Sequence, residues 1–161
     1  MFKLLVRNKI PPADLLTSKL YDETTFYQAF LRDLRHCKKE VIIESPYMTT
    51  NRVASLAPIL RKLTKNGVKV SVNTRFPGHH DQLLRIQAWI VTKELKGMGV
   101  RVHFFNDYHH RKIAVLDNRI LYEGSLNILS QNHSREIMRR VESEQLVKQM
   151  IQFLRLKKWY Q

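Results

Sequence analysis

The chain of 161 residues has a single cysteine, Cys37, which rules out an internal disulfide and removes any sign of an oxidising compartment. No stretch approaches the roughly twenty apolar residues of a membrane span. The opening MFKLLVRNKI has too short an apolar run for a signal-peptide core, and no small-residue cleavage site follows it. These absences read as a cytoplasmic protein. Acidic residues are scarce: 14 Asp+Glu stand against 28 Lys+Arg, a net charge of +14. Such an excess bears on partners rather than on fold, and a polyanion is the natural partner. Nucleic acid is the first candidate and anionic lipid the second. There is no internal repeat, linker or low-complexity tract. What is present suits one core: 43% of residues are hydrophobic, at a length typical of one domain. The organisation expected is a lead-in segment over 1–21 and a single domain over 22–161.

Periodicity lays out alternating helices and strands. Thr24–Lys38 repeats Phe26, Phe30, Leu31 and Leu34 at helical spacing, with Thr24 or Thr25 as cap. EVIIESPY, residues 40–47, reads as a buried strand ending at Pro46. Asn51–Lys65 is a helix closed by Asn66-Gly67. VKVSVN, 68–73, alternates as a strand. Gln82–Lys96 is a helix whose Leu83, Leu84, Ile86, Trp89, Ile90 and Leu95 form a broad apolar face. VRVHFF, 100–105, is another strand, and Glu142–Lys157 is a closing helix. Between them, Thr74–Asp81 is a loop. Its adjacent His79, His80 and Asp81 make a poor metal set, because neighbours in sequence rarely point at one ion. A loop that brings Arg75 or a histidine to a nucleic acid is the better reading. Tyr47 either lines a groove or packs in the core.

The chemistry is concentrated in HHRKIAVLDNRILYEGSLN, His109–Asn127. Ile113–Leu116 and Ile120–Tyr122 are apolar runs separated by Asp117-Asn118, the signature of a hairpin. Alternation along extended chain puts His110 and Lys112 on one side and His109 on the other. His109 is therefore assigned to packing. Ser125 and Asn127 have the same two-residue spacing. Gly124 before them allows a close backbone approach. Folded as a hairpin, the segment gathers a nucleophile or general acid, a cation, a hydroxyl and an amide, without acidic or sulfur ligands for a metal. That set suits a phosphodiester. Lys112, Ser125 and Asn127 can hold the non-bridging oxygens, while His110 attacks phosphorus or moves a proton.

HxKxxxxD followed by GSxN resembles the HKD motif of the phospholipase D superfamily, matched at His110, Lys112, Asp117, Gly124, Ser125 and Asn127 without substitution. Residues 22–156 resemble its small single-motif bacterial endonucleases. The resemblance implies an α/β fold, a phospholipase D-like mixed β-sheet flanked by helices on both faces. It implies that Ile137–Val141 is a strand despite Arg139-Arg140. It also implies a phosphohistidine mechanism with no metal or other cofactor, a structural role for Asp117 and Gly124, and Glu136 as the carboxylate that orients the histidine. Two-step chemistry needs a histidine on each side of phosphorus, and this chain has one motif. His36-Cys37-Lys38 matches HxK only by accident, inside a helix and without GSxN. A homodimer with the site at the subunit interface supplies the second histidine. The expected function is a metal-independent DNA endonuclease. A phosphatidyltransferase-type lipid enzyme, or a basic nucleic-acid-binding module of a larger assembly, are the alternatives.

Overall fold

The computed structural model describes residues 17–156. The expectations for the N-terminal lead-in up to residue 16, and for the end of the closing helix at Lys157, lie outside the described residues. The elements are β1 (Lys19–Asp22), α1 (Phe26–Arg35), β2 (Glu40–Glu44), α2 (Thr50–Lys65), β3 (Lys69–Arg75), a 3-10 turn (Pro77–His79), α3 (Gln82–Gly97), β4 (Arg101–Phe105), β5 (Ile113–Leu116), β6 (Ile120–Gly124), β7 (Ile137–Glu142) and α4 (Glu144–Leu154). The seven strands form one mixed sheet in the order β1-β7-β6-β5-β2-β3-β4. β2, β3 and β4 run parallel, joined through helices, while β5, β6, β7 and β1 pair antiparallel. The sheet thus takes in Lys19–Tyr21 through β1.

Alternation along the strands builds two cores. On one face Val41, Ile43, Val70, Val72, Ala114, Leu116 and Tyr122 pack against α1, α2 and α3. On the other, Ile42, Ile113, Val115 and Leu121 meet α4 through Val147, with Met150, Ile151 and Leu154 at the margin. Among the described residues, helices therefore cover both faces, three against one.

One helix turns differently from its sequence pattern. α3 buries Ala88, Val91, Thr92 and Leu95, a single stripe at helical spacing. Leu83, Ile86, Trp89 and Ile90 are exposed instead. The apolar residues of α3 span more of the helix circumference than one sheet face can cover. Small Ala88 lets the helix lie close on the sheet, and Trp89 folds over the β4 edge against Phe104, ring centroids 5.5 Å apart.

Arg140 does not interrupt β7, because its charge is neutralised inside the fold. Its Nε lies 2.5 Å from Asp33 Oδ2, which also accepts the Tyr122 hydroxyl at 2.6 Å. Burial works to raise the Asp33 carboxyl, but hydrogen bonds from Arg140 and Tyr122 outweigh it and hold the group below the usual range. Cys37 is a buried thiol, pushed up to about 12 mainly by burial.

The β5–β6 hairpin turns through Asp117 and Asn118, both left-handed at φ 52° and 55°, which suits the twist of a two-residue hairpin. Asp117 is more than a turn residue. Its carboxylate accepts the backbone amides of Lys38 (2.8 Å), Lys39 (2.8 Å) and Glu40 (3.0 Å), pinning the start of β2. Burial alone would raise its pKa; the amides of Glu40, Lys39 and Lys38 lower it overall. Asp117→Ala leaves those amides without their acceptor and is expected to cost about 2–4 kcal/mol in urea unfolding. This contribution is complete above the ordinary aspartate range and is lost as pH falls through the lowered pKa. Equal stability of wild type and variant at pH 7 would remove Asp117 from this structural role.

Candidate active site

β2 and β5 run antiparallel in the middle of the sheet, so the C-terminal end of β2 lies beside the N-terminal end of β5, with Glu44 opposite Ile113. The chain enters β5 there through residues 109–112, whose side chains part to two sides. His109 and Arg111 turn inward to a carboxylate that the strand pattern hides. Glu44 is fully buried, with Arg111 Nε at 2.8 Å, His109 Nε2 at 4.0 Å and the Asn73 amide donating at 3.1 Å. Burial raises the Glu44 pKa against the pull of Arg111. His109 is stacked on Phe105 at 4.7 Å, and burial pushes it down to about 4, so it is neutral at physiological pH. Glu44 thus anchors the two residues that flank His110 and fixes which way His110 faces.

His110 and Lys112 turn outward. Lys112 Nζ lies 2.6 Å from His110 Nδ1 and donates to the His110 carbonyl at 2.8 Å. An ammonium can only donate, so Nδ1 accepts from Lys112, and Nε2 lies 3.3 Å from the same Nζ. Desolvation, then the charges of Lys112 and Arg75, hold the His110 pKa below its ordinary value. A histidine lowered in this way favours its neutral form near pH 7. Lys112 is likewise lowered by desolvation, opposed by the charge of Glu136.

Gly124 ends β6 at the point where β7 begins, and it is a glycine for a steric reason. A Cβ there would lie 2.1 Å from the Ile137 carbonyl oxygen. Ser125 follows and is clamped to the same residue: its amide donates to Ile137 O at 2.9 Å and its Oγ accepts from Ile137 N at 3.1 Å. With Oγ accepting, the hydroxyl proton remains to donate to a ligand oxygen.

His110, Lys112, Gly124 and Ser125 line one open cleft of about 560 Å³ with Arg111, Glu123 and Arg139. Exposed Leu20 and Ile137 stand among its walls. Asn127 is half-buried and is not among the residues that line the cleft. Its carbonyl accepts the amides of Ser130 and Gln131, and its side-chain oxygen has no hydrogen-bond partner among the described residues. Glu136 accepts the Ser134 hydroxyl at 2.8 Å and acts by its charge on Lys112; among the described residues its hydrogen bonds do not reach His110. Asp117 lies at the opposite end of β5. The three loop residues diverge: His79 stacks with Tyr108, His80 packs against Tyr47, and Asp81 caps α3 through the Leu84 amide.

Sequence reading missed Glu44, Glu123, Arg139 and Arg111. Glu44 is masked by an otherwise apolar strand. Glu123 and Arg139 reach the cleft only through the β6–β7 register, in which they pair directly.

Arg75 ends β3 beside the site, with its Nη1 donating to Tyr47 Oη at 3.3 Å. Because its cation helps depress the His110 pKa, Arg75→Gln is expected to move the acid limb of the kcat/KM profile upward, toward the ordinary histidine value of about 6.5. An unmoved limb would show that Arg75 is electrostatically irrelevant to His110.

A central hairpin that presents His110, Lys112, Gly124 and Ser125 to one cleft of a seven-stranded mixed sheet defines a phospholipase D-like domain. The family model described as cardiolipin synthase, PLD-like domain, matches residues 30–157, and the chain belongs to that family. Members of this superfamily act on phosphodiester bonds. No functionally curated protein matches the chain. Among solved structures it is similar to Nuc, a phospholipase D family member from Salmonella typhimurium, at 14% identity and a TM-score of 0.71, covering 89% of this chain and 94% of Nuc. It is similar to NucT from Helicobacter pylori at 14% identity and 0.66, covering 84% and 91%. Phosphatidylserine synthase of Haemophilus influenzae matches at 14% identity and 0.63, covering 84% of this chain and 37% of the synthase. At this identity the likenesses establish the fold.

Proposed function

We propose that the protein is a metal-independent phosphodiesterase acting on nucleic acid, most simply a DNA endonuclease, with 22–161 as its catalytic domain. The observation that carries this reading is the neutral, outward-facing His110 held against Lys112 in an open cleft with Ser125 and Arg139. The net charge of +14 favours a polyanionic substrate. In the first step an imidazole nitrogen of His110 attacks phosphorus, forming a P–N bond as the P–O bond to the leaving group breaks. The leaving oxygen takes a proton from the partner's His110, which enters this step as the imidazolium and leaves it neutral, while the attacking His110 starts neutral. In the second step that histidine removes a proton from water, the water oxygen attacks phosphorus, and the P–N bond breaks. Lys112, Ser125, Asn127 and Arg139 stabilise the charge on the non-bridging oxygens. Glu136 orients the imidazole, and within one protomer its influence reaches His110 through Lys112.

The partner's histidine requires a homodimer with the cleft at its interface. Exposed Leu20 and Ile137 on the cleft supply apolar surface for such a contact. The test is cleavage of supercoiled plasmid, single-stranded DNA and RNA in EDTA over a range of protein concentrations. Specific activity that falls on dilution together with the dimer supports the reading. Full activity from a monomer contradicts the shared site.

One observation favours a lipid substrate as a second reading. An apolar groove of about 570 Å³, walled by Leu121, Val141, Leu146, Met150 and Phe153, shares Glu123 and Arg139 with the cleft and could seat an acyl chain. Turnover of phospholipid vesicles, with none of any nucleic acid, would establish it.

A further inference from the structure

Beside the cleft, on the side formed by the end of β3 and the chain leaving β4, stands a cluster of rings and cations that lies outside the residues holding the scissile phosphate. Tyr108 is 81% exposed, unusual for so large a ring with ordered neighbours. His79 stacks with it, ring centroids 6.0 Å apart and 27° between planes. The Arg75 guanidinium lies 4.7 Å from the Tyr108 centroid and bonds Tyr47, whose ring in turn meets His110 edge-on at 6.2 Å. An unbroken line of contacts therefore runs from the nucleophile through Tyr47 and Arg75 to an exposed aromatic face.

Two further facts bear on what this face takes. Among the described residues Arg75 forms no ion pair, and its Nε is buried without a hydrogen-bond partner. It is a cation held beside the site with no carboxylate to neutralise it, ready for a phosphate. Tyr108 also precedes His110 by two residues, a backbone span of at most roughly 7 Å. A ring and an unpaired guanidinium at that offset suit a nucleotide next to the one being cut: the phosphate on Arg75, the base on Tyr108.

We propose that Tyr108 and His79 form a stacking shelf for an unpaired nucleobase flanking the scissile phosphate, and that Arg75 ties that nucleotide's phosphate to the catalytic cleft. The inference rests on the nucleic-acid reading of the site. It makes the preferred substrate one with at least one unstacked base beside the cut, in a single strand, a loop or a frayed end. A paired base is already stacked on its neighbours and gains nothing from the ring.

The test is binding in a His110→Ala background, so that no probe is consumed. The probes are a fluorescent oligothymidylate, an abasic sugar–phosphate chain of the same length, and a blunt duplex. Tyr108→Ala is expected to weaken oligothymidylate binding about ten- to hundred-fold, the usual worth of one stacked base. The abasic chain and the duplex should lose about two-fold or less, the size expected of a surface substitution that removes no stacked base. Tyr108→Phe, which keeps the ring, should retain most of the oligothymidylate affinity. Equal losses on all three probes, or no loss on any, would overturn the shelf. Because the ring is exposed, its removal does not threaten the fold. Plasmid and oligonucleotide cleavage by protein with His110 intact is scored separately. Base-dependent binding without cleavage would sink the nuclease and leave the shelf; cleavage with Tyr108→Ala binding normally would do the reverse.

Discussion

His110→Ala is expected to lower phosphodiester cleavage by about 10⁴-fold or more while leaving the fold intact. The size follows from what the residue does. Removing a covalent nucleophile forfeits the whole two-step route, and in comparable enzymes costs up to about 10⁶ in turnover. Lys112, Ser125 and Arg139 would still bind the substrate, so KM should change far less than kcat. The structural side is equally specific. His110 is exposed, and its contacts are with Lys112 and the edge of Tyr47, so unfolding should shift by about 0.5 kcal/mol or less. A variant that keeps its cleavage activity would remove His110 from the chemistry. A variant that loses activity only by unfolding would leave the assignment without support, and the thermal melt separates the two cases.

The second large effect is steric. Gly124→Ala places a methyl group 2.1 Å from the Ile137 carbonyl oxygen and 2.8 Å from Met138 Sδ. The sulfur can move aside, but the carbonyl belongs to the β7 backbone and accepts the Ser125 amide. Relief of the clash must therefore part β6 from β7 at their open end and carry Ser125 with it. Overpacking against backbone sits at the upper end of its usual range, about 3 kcal/mol. For a chain of this size that is roughly a 6–12 °C drop in Tm. Cleavage should fall as well, because Ser125 and Arg139 shift relative to His110. An alanine variant that melts with the wild type would show that β7 yields freely and that the glycine has another reason.

What the sequence disclosed was what the chain does locally. HxK, the Asp117-Asn118 turn and GSxN lie within one hairpin, so residue spacing and strand alternation suffice to place His110, Lys112 and Ser125 together. The resemblance to the phospholipase D superfamily rested on the same residues, and the match over 30–157 shows the family. What escaped notice depends on contacts between elements. Arg139 reads as an interruption of a strand until register sets it opposite Glu123. Glu44 looks like the polar end of an apolar run until Arg111 and His109 fold onto it. The apolar face of α3 was legible, but its rotation was not, because the sheet selects the stripe around Ala88 and leaves Trp89 to the β4 edge. Tyr108 carries no local signal, and only the loop after β3 makes it part of a stack.

The most direct measurement is to trap the covalent intermediate. Protein is mixed in EDTA with an oligonucleotide carrying radiolabelled internal phosphates, quenched by denaturation, and stripped of unbound nucleic acid. Label that stays on the wild-type protein, withstands base, is released by acid and is missing from His110→Ala is the predicted result. Cleavage of the oligonucleotide at full rate with no label on the protein at any time would contradict the central claim that His110 is the nucleophile.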